Sequence, residues 1–245
     1  MTALAVEDGM GQSAPRAARR ALAQRLATAH PSLFAVYAGL AAFAAYCSMY
    51  AFRKPFTAAT YTDAGGWEGL IDFKIALVIA QVAGYALSKF IGVKVVSEMA
   101  ATRRGLAIVG LIVASWIALL LFAIVPPTWK VAALFLNGLP LGMIWGLVFG
   151  YVEGRRTSEA IAAILCASFV VSSGIVKSVG MWLMTDRGVG EYWMPAATGA
   201  LFMPLLIVAV IGLAQLPPPT PAEQAERMAR PPMLAEARRA FLRDY

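Results

Sequence analysis

The sequence predicts an all-α membrane protein, a bundle of six transmembrane helices. Three observations carry that expectation. The 245 residues are 60% hydrophobic and only 14% charged, where a soluble domain carries roughly 25% charged residues. The chain lacks the polar residues to cover a water-facing surface, and its mean hydropathy is +0.67. Six apolar runs each approach the length of about 20 residues needed to cross a bilayer. Basic residues gather in alternate connections, as they do in chains that weave through a membrane. A β-barrel would need short alternating strands, and the long unbroken apolar runs do not read that way.

Residues 1–31 contain no apolar core, which excludes a signal peptide. Arg16, Arg19, Arg20 and Arg25 are spread through an alanine-rich stretch. It reads as an amphipathic cytoplasmic segment lying at the membrane surface. His30 stands just before the first span and reads as an interfacial residue. The membrane domain occupies residues 32–216. Its predicted spans are Ser32–Phe52, Phe73–Val96, Leu106–Val125, Val131–Tyr151, Ile161–Met184 and Tyr192–Leu216. The first run could extend to Thr60. The proline run "PPPTP", Pro217–Pro221, ends the sixth span. Residues 217–245 form a charged cytoplasmic tail or the start of a longer central loop.

The connections fix the expected orientation. Arginines lie in the N-terminal segment, at Arg103 and Arg104, at Arg155 and Arg156, and in the tail at Arg227, Arg230, Arg238, Arg239 and Arg243. The opposite side carries Lys130, Arg187 and the edge residue Lys74. Positive residues favour the cytoplasm, so both termini are expected inside. The net charge of +7 is distributed between apolar runs rather than along one face, which argues against nucleic acid. Cys47 and Cys166 lie within apolar runs and supply neither a disulfide framework nor a metal cluster. No cofactor is expected. No nucleophile–base set or phosphate-cradling loop points to an enzyme.

In the fourth span, Gly138, Gly142, Gly146 and Gly150 repeat every fourth residue. That spacing puts all four on one face, where another helix backbone can approach closely.

The functional candidates are cations inside the apolar runs. A charged residue at the helix centre costs about 2.5–3.5 kcal/mol on insertion scales, so it is a functional candidate by default. Arg53 and Lys54, Lys89 in span two, and Lys177 in span five qualify. Tyr46, Tyr50 and Arg53 share one helical face, and so do Tyr85 and Lys89. Arginine offers a planar fork, lysine a point charge and tyrosine a neutral donor. Together they suit an oxyanion such as phosphate. Two readings of Arg53 stand open. Pro55 disfavours helical geometry at Lys54, so the helix could end there with Arg53 reaching to headgroups. Alternatively the helix runs on and Arg53 faces a polar interior. Lys89 and Lys177 each lie 16 residues past their predicted span starts. In two inverted three-helix units those positions correspond, as in a 3+3 repeat.

The segments "YCSMYAFRKPF" and "DFKIALVIAQVAGYALSKFIG" resemble helices one and two of the major facilitator superfamily. The branch they resemble is the organophosphate:phosphate antiporters. Tyr46, Tyr50, Arg53 and Lys54 match its helix-one pattern, and Tyr85, Ser88, Lys89 and Phe90 its helix-two pattern. The resemblance implies that helix one continues past Arg53 and that these residues line a substrate cavity, with Arg53 binding phosphate. "KVVSEMAATRRG" is similar to the superfamily's 2–3 loop and implies a conformational role for Glu98, Arg103 and Arg104. "CASFVVSSG" resembles a segment that carries a functional histidine in that branch, but Ser168 stands there. The chain also resembles a family of bacterial membrane proteins in this superfamily to which no substrate is assigned.

The resemblance covers roughly residues 30–220. It implies the N-terminal half of a twelve-helix fold in a bacterial inner membrane. The expected function is secondary active transport of inorganic phosphate or a phosphorylated organic anion, by alternating access. Lys54 and Lys177 join the expected substrate-binding set. The expected partners are a small anionic substrate, the lipid bilayer, and either a missing C-terminal half or a second copy. Truncation is favoured over a genuine half-size protein. The competing readings are a membrane sensor of a sugar phosphate and a non-transporting structural bundle.

Overall fold

A computed structural model describes residues 22–62, 65, 67–97, 99–221 and 223. Glu98, most of the N-terminal segment and most of the tail lie outside the described residues. Six helices are long and apolar enough to cross a membrane. They are α1 (Pro31–Tyr50), α2 (Phe73–Ser97), α3 (Arg104–Ile124), α4 (Pro127–Phe149), α5 (Ser158–Thr185) and α6 (Met194–Leu213). The described residues contain no strand. The chain is therefore a multi-pass helical membrane protein.

Local chemistry sets several of the ends. The His30 ring Nδ1 accepts from the Ser32 N–H, capping α1, and Pro31 sits where a missing N–H costs nothing. Pro126 and Pro127 separate α3 from α4. The Lys130 ammonium turns back and donates to the Phe122 carbonyl at 2.7 Å. A cation is favourable at that helix C-terminus. Lys130 is buried, with its ammonium 4.1 Å from the Tyr192 ring centroid. The sequence reading placed it in a connection as a marker of orientation. The structure makes it a helix cap in an aromatic cluster with Tyr61, Phe73 and Phe122.

The helices pack in an exchange pattern. α2 lies chiefly on α4, while α5 lies chiefly on α1. α3 packs on α4, while α6 packs on α1. α3 with α6 and α1 with α4 each join an element to its counterpart, while α5 packs on α6 without a matching α2–α3 contact of that extent. Swapping the first three helices for the last three preserves every one of these contacts but α5 with α6, the pattern of an approximate pseudo-two-fold axis in the membrane plane. The lysine spacing that suggested the repeat does not survive. α5 begins at Ser158 rather than Ile161, so Lys177 lies farther along its helix than Lys89 does along α2.

Lipid tails are as apolar as leucine, so helices associate in a membrane through close packing and polar contacts. The α2–α4 pair shows the first. A Cβ on Gly138 would stand 2.3 Å from the Gln81 carbonyl oxygen, and one on Gly142 would stand 2.6 Å from that of Tyr85. Gly84 returns the approach from α2, where a Cβ would lie 2.2 Å from the Phe135 carbonyl oxygen. Farther along, the contacts loosen. Gly146 faces Val96 at 3.3 Å, and Gly150 faces the Arg104 guanidinium at 3.0 Å. Toward the α1–α6 side the Tyr37 hydroxyl donates to the Gly212 carbonyl at 3.1 Å.

Candidate functional site

The opening of α1 is what builds the site. The α-helix ends at Tyr50, and hydrogen-bonded turns carry the chain into a short 3-10 segment, Pro55–Ala58. Proline has no N–H and its ring clashes with the preceding turn. The expectation that helix one continues past Arg53 is thus corrected: the α-helix stops three residues before it. The chain does not leave the bundle, because the 3-10 segment packs on α5 and α6, the same neighbours as α1.

Breaking a helix inside an apolar layer frees carbonyls that must find donors. Here side-chain amides supply them. The Asn137 amide on α4 donates to the Phe52 carbonyl at 3.1 Å. The Gln81 amide on α2 donates to the Arg53 carbonyl at 2.9 Å and to Asn137 Oδ1 at 2.7 Å. Asn137 also donates to Ser115 Oγ on α3 at 2.6 Å. Asn137 and Ser115 are fully buried, and Gln81 nearly so. This network was not singled out in the sequence. Its signal was present: a single amide side chain in the middle of each of two long apolar runs.

The turn presents Arg53 beside the phenols. Its guanidinium carbon lies 3.9 Å from the Tyr85 ring centroid and 5.9 Å from that of Tyr50. The Lys89 ammonium lies 5.1 Å from the same Tyr85 ring. Tyr46 and Tyr50 pack with ring centroids 5.6 Å apart, and Tyr46 reaches Phe169 on α5 at 5.0 Å. The Tyr46 hydroxyl interacts with that of Tyr85, and Tyr50 with Arg53. α1 and α2 therefore bring their cations and phenols together. Lys54 is half-buried in the same turn and feels the charges of Arg53 and Lys177. Lys177 is half-buried on α5, and Lys89 is exposed. Among the described residues, no carboxylate pairs with Arg53, Lys54, Lys89 or Lys177. The Arg53 Nε is buried without a hydrogen-bond partner.

The cluster runs outward from the core, with Tyr46 and Tyr50 buried, Arg53 and Tyr85 half-buried and Lys89 exposed. None of the four principal clefts is lined by Arg53, Tyr46, Tyr50 or Tyr85. Lys89 lines a cleft of about 550 Å³ that leads along the α2–α4 seam toward Arg104 and Glu153. Ser168, at the position of the branch's histidine, is buried, and its hydroxyl donates to the Leu165 carbonyl of its own helix. It contributes nothing to the cationic face.

Two of the loop arginines hold backbone carbonyls. Arg104 donates from Nη1 to the Gly150 carbonyl at the end of α4. Arg103 is exposed. Arg155 donates to the Pro217 carbonyl beyond α6 and lies 4.7 Å from the Phe34 ring centroid. Across the molecule, Glu191 accepts from the Tyr61 N–H at 2.8 Å and from the Thr60 hydroxyl at 3.2 Å. Tyr61 adopts a left-handed backbone, φ 56°, and this carboxylate satisfies its N–H. Among the described residues no group of His, Cys, Asp and Glu could hold a metal ion.

No curated protein and no solved structure matches the chain. A family model described as "Family of unknown function (DUF5690)" matches residues 55–245. That match begins at Pro55, the residue that ends α1 beside the cationic face, and spans five of the six membrane helices. The chain belongs to the DUF5690 family.

Proposed function

We propose that this chain is a secondary transporter, or the N-terminal half of one, for inorganic phosphate or a phosphorylated organic anion. Its type would be that of the major facilitator superfamily. The observation that carries the proposal is the Tyr85 ring shared by Arg53 and Lys89, at 3.9 and 5.1 Å. No described carboxylate neutralises the pair. Two cations held in an apolar layer on a neutral ring retain their hydrogen-bonding capacity for an incoming anion. The phenols of Tyr46 and Tyr50 add neutral donors at the edge. An arginine stacked on a ring keeps its fork oriented, which suits bidentate phosphate contacts.

The broken first helix fits the same reading. Transporter binding sites commonly use discontinuous helices, whose irregular backbone is tolerated where it lines a polar site. Lys89 is exposed and Arg53, Lys54 and Lys177 are half-buried, so a second six-helix unit would cover them. That unit is a C-terminal half or another copy of this chain. In this reading Arg53 binds the anion, Lys89 and Lys177 add charge, and Lys54 faces the same space. The membrane would be a bacterial inner membrane, with the arginine-rich end in the cytoplasm.

The test is thermal stability of the purified protein in detergent. Inorganic phosphate and glycerol-3-phosphate should raise the unfolding midpoint, and neutral sugars should not. Arg53→Ala should abolish the shift. Equal stabilisation of wild type and Arg53→Ala would remove Arg53 from the site, and no stabilisation by any phosphorylated ligand would remove the reading.

A further inference from the structure

The arginine-rich end holds a second polar opening, which none of Arg53, Lys54, Lys89 and Lys177 lines. α3 and α6 diverge there around a cleft of about 620 Å³. Its polar wall includes Arg104, Tyr151, Arg155 and Gln215. Its apolar wall includes Leu106 and Ile211, which are 78% and 44% exposed.

A groove of about 570 Å³ continues from it along the outside of the bundle, between Trp116 of α3 and Met203, Pro204 and Val208 of α6. Ile207 lines both spaces. Small Ala200 and the internal Pro204 leave this stretch of α6 without bulk, while the Trp116 indole is fixed by donating to the Ala196 carbonyl at 2.9 Å. The groove therefore lies on the outer surface of the bundle and adjoins, through Ile207, the cleft that holds the two guanidinium groups.

Those guanidiniums keep spare donors. Each carries five N–H groups. Arg104 uses one on the Gly150 carbonyl, and Arg155 uses one on that of Pro217. The Nε of each is buried without a hydrogen-bond partner. Burial pulls the Arg155 guanidinium below its usual range, and the charge of Glu223 pushes it back. It remains a cation at neutral pH. A phosphate oxygen supplies the acceptors these groups lack, and basic pockets between helices at a membrane surface are suited to anionic headgroups.

We propose that this cleft binds an anionic phospholipid from the adjoining leaflet. Arg104 and Arg155 hold the headgroup phosphate, and one acyl chain lies in the groove formed by Trp116, Met203, Pro204 and Val208. The continuity of the two spaces selects a lipid over a soluble phosphate. A soluble anion would fill the polar end and leave the groove to bulk lipid.

The experiment compares the thermal midpoint of the full chain in detergent with phosphatidylglycerol, phosphatidylcholine or glycerol-3-phosphate added. A ligand that binds only the folded state raises that midpoint. Phosphatidylglycerol should raise it and phosphatidylcholine should not. Arg155→Gln, which can still donate to the Pro217 carbonyl, should lose most of the phosphatidylglycerol shift. Ala200→Trp fills the groove from an exposed position and should lose it as well, without touching the headgroup cleft. Arg53→Ala should keep it, which separates this site from the cationic face. Equal shifts with the two lipids would overturn the proposal. So would a phosphatidylglycerol shift that survives both variants, or one that glycerol-3-phosphate reproduces in Arg53→Ala.

Discussion

The Asn137 side chain donates to the Phe52 carbonyl at 3.1 Å, tying the middle of α4 to the turn where α1 stops. With Gln81 on the Arg53 carbonyl, this contact holds the break open in one conformation. The position of the Arg53 guanidinium on Tyr85 follows from it. A polar residue inside an apolar helix here supports the backbone that displays a cation.

Asn137→Leu should therefore destabilise the fold and loosen Arg53 together. Interhelical hydrogen bonds in membranes average about 0.6 kcal/mol, because the unfolded reference state finds other partners. A carbonyl stranded by a helix break has no such substitute, and leaving it unsatisfied costs about 1–3 kcal/mol. The larger figure should govern. Unfolding in detergent measures the first effect, and phosphate-dependent stabilisation measures the second. Loss of stability with unchanged ligand response would show that the network does not position Arg53.

Arg53→Lys preserves charge but removes the planar group that stacks on Tyr85. Charge-assisted hydrogen bonds are worth about 1.5–3 kcal/mol, so losing one should weaken phosphate binding by roughly tenfold or more. Titration calorimetry on the two proteins checks this. An unchanged dissociation constant would mean that only the charge of Arg53 matters.

Gly138→Ala should be strongly destabilising, because the added Cβ would meet the Gln81 carbonyl at 2.3 Å and neither backbone can yield. Gly174→Ala on α5 meets nothing within 4 Å. Alanine is favoured over glycine in a helix by about 0.8–1.0 kcal/mol, so that variant should be neutral or slightly stabilising. Comparing the two midpoints separates a packing role from a general intolerance of substitution.

The start of the tail should detach as pH falls. Thr220 and Glu223 cap one another: Glu223 accepts from the Thr220 N–H at 2.8 Å, and the Thr220 hydroxyl accepts from the Glu223 N–H at 3.3 Å. Glu223 also accepts from the Arg156 N–H at 3.2 Å, which ties the tail to the α4–α5 connection. Burial raises the Glu223 carboxyl, but these hydrogen bonds and the Arg155 charge outweigh it and hold it below its ordinary value. A depressed carboxyl stabilises the docked state above the free-state value. That contribution is lost as pH falls through the docked value. Proteolysis beyond Pro221 should thus accelerate in acid for wild type. Glu223→Gln should be cut at a rate that varies less with pH in that range.

The sequence by itself determined the class of the protein. Its scarcity of charge and six long apolar runs leave helices as the available spanning structure, and helical periodicity groups Tyr46 and Tyr50 with Arg53 and Tyr85 with Lys89. It also marked the glycine face of α4, because a four-residue repeat of the smallest side chain has a direct geometric meaning. The tertiary structure decided where α1 ends, since Pro55 allows either a kinked continuation or a stop. The stop depends on amides from α2 and α4 being there to receive the freed carbonyls. It likewise decided that Lys130 and Arg104 are caps rather than loop charges. Whether a cation is exposed, stacked or spent on a carbonyl depends on neighbours distant in the chain, and periodicity along one helix carries no information about those.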